Sequence, residues 1–369
     1  MDLRGKGRFF MKRDEKSSVT IYTIAAECGV SPATVSRVAN GQRVSPRSLA
    51  LVQPLIEKYR FAPNPLARAM SKSRSQTLGV ILPDISNPYF SALFLEIQKY
   101  ALQNNYGILL CNTLYGGSSH GIESPFGEQK YFRMMIDKKV DGVILTGGEL
   151  DKENVSPEYA AELDRMCAYF PVVAIGETLP NCGCIFVNRN LAGGVSALIQ
   201  HLMALGRRKI GFIGGEPGVK TTAARYGAYR RTLQSLRLPF NEEWTALTDY
   251  YLPDGYAAME TLLQKEDRPT AVLAINDTVA LGAIRAAADH GLRVPEDISV
   301  VSCDRFPTAD YIVPRLTSVD QQNSYLGRMS ILTLINAING IDDPVEIIHT
   351  PRLVVGESCG AQLPQGFSE

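Results

Sequence analysis

The first stretch with the composition of a reactive site is 214–222, GGEPGVKTT, which sits between an apolar run and a helical pattern and carries Lys220 and Thr221. It has the glycines and lysine of a phosphate-binding loop, but that loop needs glycine directly before the lysine so that backbone N–H groups and the ammonium surround the same phosphates. Val219 stands there instead. Nucleotide hydrolysis is therefore not expected. The four histidines, His120, His201, His290 and His349, lie far apart, and neither HExxH nor GxSxG occurs. Seven cysteines are an odd number, and only Cys182 and Cys184 are close together in sequence. Without paired CxxC-type ligands or a nearby histidine they read as reduced, mostly buried thiols, not as a disulfide framework or a zinc site. The reading is of a chain that is not an enzyme, with no metal and no cofactor. What remains is Ser31, Thr34, Ser36 and Arg37 within one short segment. Hydroxyl and guanidinium donors at that density are what recognition in a nucleic-acid groove requires.

The elements that would position those donors are legible. Ile21, Ile24, Ala25 and Cys28 have helical spacing, and Gly29 can take the positive φ of a turn. Ser31-Pro32 then opens a second helix, with a hydroxyl to cap it and a proline suited to its first position. Its inward face is Val35, Val38 and Ala39. Ser45-Pro46 repeats the signal for a third helix with an apolar stripe of Leu49, Val52, Leu55, Ile56 and Tyr59. Three short helices with a glycine turn describe a helix-turn-helix module. Charge supports it. The chain is balanced overall at 38 basic and 38 acidic residues, yet residues 1–76 hold 14 basic and 5 acidic side chains. A basic module joined to an acidic body is the footprint of a protein whose first part meets a polyanion.

The run 19–40, VTIYTIAAECGVSPATVSRVAN, and the run 59–70, YRFAPNPLARAM, closely resemble the amino terminus of the lactose-repressor (LacI/GalR) family of bacterial transcription regulators. The resemblance extends over nearly all of 19–360. It implies that the helix from Pro32 enters the major groove, with Pro32, Ala33 and Arg37 as the main base readers. Arg37 can donate a bidentate pair to guanine, worth about 1–3 kcal/mol of discrimination, while Pro32 and Ala33 offer only apolar contact, for instance to a thymine methyl. Thr34, Ser36 and Asn40 are placed to grip phosphates or neighbouring bases, and Thr20, Tyr22, Ser31 and Arg43 complete the expected DNA-binding set. Asn64-Pro65 opens a segment too short to be a stable helix alone. In the family it is a hinge helix that orders on operator DNA, so Asn64, Arg68 and Met70 join the set. Met70 stands where a leucine usually wedges into the minor groove.

After a polar linker, short apolar runs at 78–82, 108–111, 140–145, 172–175, 185–187, 210–213, 271–275 and 298–301 alternate with helical stretches such as 89–104, 191–205, 222–236 and 278–290. Such alternation predicts an α/β body of two doubly wound parallel-sheet lobes. The resemblance implies a periplasmic-binding-protein-like core. The expected divisions are an arm at 1–18, the helix-turn-helix domain at 19–63, a hinge and linker at 64–76, an effector-binding core at 77–360 and a tail at 361–369. Lobe one takes 77–187 and 321–349, and lobe two 188–319 and 350–360. Residues 115–127 look like a Gly/Ser-rich insertion. Ligands of such sheets sit at the carboxyl ends of strands. By the resemblance, Tyr89, Phe90, Arg225, Tyr250, Asn276, Asp304 and Gln321 face an effector. An aromatic wall with one arginine, one aspartate and amides suits a sugar-like molecule. Gly176 and Arg189-Asn190 depart from the common pattern, which argues against a common hexose.

No apolar run approaches the roughly 18 residues of a membrane span, and the basic first residues lead into no apolar stretch. A cytoplasmic homodimer is expected, because one recognition helix reads only a few base pairs and two-fold pairing places two of them about one DNA turn apart. The expected function is a repressor of double-stranded operator DNA whose affinity is set by a small effector. Alternatives are a regulator answering a nucleoside or a partner protein, and a solute-binding protein with no DNA role.

Overall fold

Thr20 starts the first helix by a reciprocal cap. Its Oγ1 accepts the Thr23 N–H at 3.3 Å, and its own N–H donates to Thr23 Oγ1 at 3.3 Å. The computed structural model describes residues 19–39, 43–59, 61, 74–114, 127–341 and 350–362. Asn40, Asn64, Arg68, Met70, the arm at 1–18 and nearly all of the 115–127 insertion lie outside them. The chain divides between Ser75 and Gln76 into two units.

In the first unit, α1 (Ile21–Cys28) ends at Gly29, whose φ of 65° is the left-handed conformation a glycine adopts without strain. The next helices are α2 (Pro32–Ala39) and α3 (Pro46–Tyr59). Each begins as the serine-proline pairs predict. Ser31 Oγ accepts the Thr34 N–H and Ser45 Oγ the Ser48 N–H, both at 3.2 Å. Ile24, Ala25, Val35, Val38 and Val52 form the core, with Leu55, Ile56 and Tyr59 packed on it. Leu49, expected on the α3 stripe, is 46% exposed, since the packed face begins only at Val52. Glu27 on α1 ties down the end of α3, accepting from Lys58 Nζ at 3.1 Å and Tyr59 Oη at 2.8 Å.

The second unit holds two sheets. In chain order its elements are β1 (Thr77–Leu82), α4 (Pro88–Gln103), β2 (Gly107–Asn112), α5 (Gln129–Lys138), β3 (Gly142–Thr146), α6 (Pro157–Cys167), β4 (Val172–Ile175), β5 (Ile185–Val187), α7 (Leu191–Ala204), β6 (Ile210–Ile213), α8 (Lys220–Ser235), β7 (Thr245–Ala246), α9 (Leu252–Leu263), β8 (Ala271–Ala274), α10 (Asp277–Asp289), β9 (Ser299–Ser302), β10 (Thr317–Asp320), α11 (Asn323–Ile338) and β11 (Arg352–Val354). The first sheet is parallel in the order β2-β1-β3-β4-β5. The second runs β11-β10-β9-β8-β6-β7, parallel except for β11 against β10. Helices cover both faces, so central strands such as β3 and β8 are buried along their length. Helix α11, although it follows β10, packs on α4 and β3 of the first sheet, while β11 returns to the second. The chain thus passes between lobes three times, after β5, after β10 and between α11 and β11. Among the described residues no helix is long and apolar enough to cross a membrane.

One side chain breaks the division of cores. Phe306, on the loop after β9 of the second sheet, is buried in the first lobe's cluster with Leu82, Tyr89 and Val187. Its N–H donates to Asp277 Oδ2 at 2.7 Å, which holds the loop in lobe two while the ring sits in lobe one.

Candidate functional site

In the first unit, Val35 and Val38 face inward, and this turns the rest of α2 outward. Ser31, Ala33 and Arg37 are exposed, and Pro32, Thr34 and Ser36 half-buried. Thr20, Tyr22 and Arg43 are exposed as well; Tyr22 is 70% open to solvent. Lys58 is engaged by Glu27, whose carboxyl is held below its ordinary range by the Tyr59 and Lys58 hydrogen bonds. Arg37, Arg43 and Arg47 form no ion pair among the described residues. Three uncompensated guanidinium groups and the cap hydroxyls therefore lie on a surface able to meet phosphates and base edges.

In the second unit, the residues expected to face an effector come together at the carboxyl ends of the strands. Arg225, buried on α8, donates from Nη2 and Nη1 to the two oxygens of Asp304 at 2.6 and 3.0 Å, and from Nη1 to the Ile275 carbonyl at 2.7 Å. Burial disfavours the guanidinium charge, but Asp304 more than offsets this and raises its pKa. Gln321 Nε2 donates to the Cys303 carbonyl at 2.7 Å. Asn276 caps α10 by accepting the Val279 N–H at 2.8 Å, while its Nδ2 donates to the Tyr250 carbonyl at 2.9 Å. The Tyr250 and Thr222 hydroxyls are 2.5 Å apart. These five residues thus form one hydrogen-bonded floor in lobe two.

Tyr89 and Phe90 stand in lobe one at the start of α4, their rings edge to face at 5.0 Å. The Arg189 guanidinium lies 4.7 Å from the centre of the Tyr89 ring, a cation–π arrangement. Phe90 and Pro83 both lie against the turn at Gly147. Tyr89 is buried, and burial raises its pKa, with Arg189, Asp304, Arg225 and Asp151 close enough to act on it. Two polar atoms in this arrangement are buried without a hydrogen-bond partner among the described residues: Tyr89 Oη and Arg225 Nε. They belong to opposite lobes.

Beside them is a cavity of about 420 Å³ lined by Asp151, Gly176, Glu177, Asn188, Arg189, Asn190, Leu191, Ala192, Thr221, Ala224 and Arg231. None of the seven expected effector residues is in its lining, although Thr221 and Ala224 share α8 with Arg225. Sequence reasoning missed the polar members, yet they obey its own rule. Glu177 follows β4, Asn188 to Asn190 follow β5, and Asp151 lies beyond β3. Arg189, noted only as a departure, is both a cavity wall and the cap over Tyr89.

The lobes are joined at the rim. Thr221 Oγ1 donates to Asp151 Oδ2 at 2.7 Å, and Lys220 Nζ to the Leu150 carbonyl at 2.9 Å. Backbone bonds continue the seam: Lys152 and Val219 form an antiparallel bridge, and the Glu153 N–H donates to the Gly218 carbonyl at 2.8 Å. Tyr251 Oη donates across to Asp84 Oδ2 at 2.7 Å. The lysine and threonine of the phosphate-loop-like stretch are therefore spent on fastening one lobe to the other.

A periplasmic binding protein-like domain model matches residues 199–359. The transcriptional repressor PurR of Mannheimia succiniciproducens, named as an HTH-type protein, is 30% identical over 92% of this chain and 98% of its own length. Among solved structures, a lac repressor dimer bound to operator and an anti-inducer aligns with a TM-score of 0.79 at 23% identity, covering 93% of this chain and 99% of the other. The regulator CelR in complex with cellobiose aligns at 0.67 and 26% identity, covering 92% and 99%.

Proposed function

The chain belongs to the LacI/GalR family of transcriptional regulators, and from that premise we propose that it is an effector-controlled repressor in which α2 reads operator DNA while a sugar-like molecule binds between the two lobes. Two copies act together, as in the operator-bound lac repressor dimer, because eight residues of helix reach only a few base pairs. Arg37 supplies the bidentate base contact and Arg43 a phosphate contact.

The observation that carries the effector reading is the pair of orphaned atoms, Tyr89 Oη and Arg225 Nε, buried on opposite lobes beside a polar cavity. A buried polar group left unpaired costs about 1–3 kcal/mol. Neither residue lines the cavity itself, but Arg189 over the Tyr89 ring and Ala224 beside Arg225 do, so a ligand that displaces Arg189 and reaches past this wall would recover that cost and favour the arrangement it bridges. The cavity volume lies within the usual range for small ligands. Its walls alternate Arg189 and Arg231 with Asp151 and Glu177, and add the Asn188 and Asn190 amides and the Thr221 hydroxyl. Interspersed donors and acceptors suit a polyhydroxylated molecule better than a plain anion. Cellobiose, the ligand of the CelR structure, is of that chemical kind.

The test is a thermal-shift screen of the purified protein against mono- and disaccharides, their acids and nucleosides, followed by gel shifts on operator fragments with each hit. A sugar-class hit that changes operator affinity several-fold in wild type and not in Arg189→Ala supports the reading. A hit confined to nucleosides, or one unaffected by Arg189→Ala, overturns it.

A further inference from the structure

The sequence shows only Cys182-Gly-Cys184, two thiols with no partner motif. The fold brings a third thiol to them. Cys167 closes α6, and the loop entering β5 brings Cys182 and Cys184 against it until the three Sγ atoms lie within 4.8 Å of one another. Cys167 and Cys184 are 3.4 Å apart at sulfur. The loop is held there by the Gly183 N–H, which donates to Asp164 Oδ1 at 3.1 Å. A Cβ at Gly183 would stand 3.2 Å from Cys167 Cβ, tighter than ordinary contact, so the approach depends on glycine. Cys184 is buried and the other two are half-buried. Nothing in the reading of DNA or effector binding uses them.

We propose that Cys167, Cys182 and Cys184 form a three-thiolate site for a soft divalent cation of the zinc or cadmium class. Zn–S bonds of about 2.3 Å in tetrahedral geometry put sulfurs about 3.8 Å apart, a spacing these atoms reach by small side-chain rotations. The three thiols give up their protons on binding. A fourth ligand would come from outside the three thiols. A disulfide between Cys167 and Cys184 would use two of the sulfurs and leave the placement of Cys182 unexplained, whereas a cation uses all three. The site also has a lever. The loop carrying Cys182 and Cys184 begins at Gly176 and Glu177, which line the interlobe cavity, so a bound cation would fasten the cavity's edge to α6.

The experiment titrates full-length protein, reduced and stripped with chelator, with Cd²⁺ under anaerobic conditions. The expected result is a sulfur-to-cadmium ultraviolet charge-transfer band that saturates at one equivalent per chain and is displaced by excess Zn²⁺. Cys182→Ser should weaken binding by about tenfold or more, while Cys28→Ser leaves it unchanged. The wild-type protein provides a check that no variant can spoil: Cd²⁺ should protect Cys167, Cys182 and Cys184, and not Cys28, from iodoacetamide. Absence of the band, a band that survives loss of all three cysteines, or a Cys167–Cys184 disulfide on mild oxidation of a protein that binds no cation would each overturn the proposal.

Discussion

Asp304 receives both terminal nitrogens of Arg225, at 2.6 and 3.0 Å, and two residues further along the same loop Phe306 is buried in the core of the other lobe. The loop after β9 therefore holds the floor of the cleft with one side chain and the opposing lobe with another.

Because the pair is almost wholly buried, removing one partner leaves a charge without compensation. Arg225→Ala is expected to destabilise the protein by about 3–5 kcal/mol, and the double replacement Arg225→Met with Asp304→Leu to recover most of that. Chemical denaturation of the single and double variants measures both. A double variant as unstable as Arg225→Ala would show that the ion pair is not the source of the loss.

The seam between the lobes gives a second expectation. Tyr251→Phe removes the hydroxyl that donates to Asp84 across the cleft, and a hydrogen bond to a charged group is worth about 1.5–3 kcal/mol. Local opening should become about ten- to a hundredfold more frequent, read as faster hydrogen exchange of the Glu153 amide, which bonds across the seam to Gly218. Amides inside β6 serve as the reference. Equal acceleration of both would mean global destabilisation.

On the DNA side, Arg37→Ala should reduce discrimination between operator and mismatched sites by about 1–3 kcal/mol with little change in non-specific affinity. Arg43→Ala should act on both alike and make the slope of log K against log salt shallower by about one unit. Gel shifts over a salt series separate the two, and an unchanged specificity ratio in Arg37→Ala would remove it as a base reader.

Glu128 makes a pH prediction. Buried at the start of α5, it is pushed up from 4.5 to about 7 by desolvation, although Tyr159 Oη and the Glu149 N–H both donate to it. The native carboxyl then keeps its proton through a window in which the unfolded chain has lost it. Stability should fall as pH rises from about 4.5 to about 7, by on the order of 3 kcal/mol from this group. In Glu128→Gln that part of the slope disappears. Urea midpoints of the two proteins across the window provide the check, and parallel slopes would contradict it.

Where local chemistry decides structure, the sequence is transparent. Ser31-Pro32 and Ser45-Pro46 start α2 and α3 at the expected residues, and apolar runs at 172–175, 185–187 and 210–213 are strands β4, β5 and β6 to the residue. Strand β10 is opaque because it reads Thr-Ser-Val-Asp. Its buried hydroxyls have partners of their own, Thr317 Oγ1 accepting the Gly356 N–H at 2.9 Å and Ser318 Oγ accepting from Arg305 Nη1 at 3.5 Å, and no apolar pattern announces it. Helix α9 is hidden by Gly255, which looks like a breaker. In fact a Cβ there would lie 2.1 Å from the Val279 carbonyl of α10, so the glycine permits two helices to touch. The sequence named Arg225 and Asp304, which do meet as a buried pair, but the cavity beside them was not legible. Its polar lining comes from loop positions that become neighbours only once two lobes meet.

The antiparallel bridge between Lys152 and Val219 and the bond from Glu153 to Gly218 are made by main-chain atoms. Such stitching is indifferent to which side chains flank it. Most of the side chains around the cavity can therefore be exchanged without disturbing this stitch, so novelty of taste need not wait for a new way of moving.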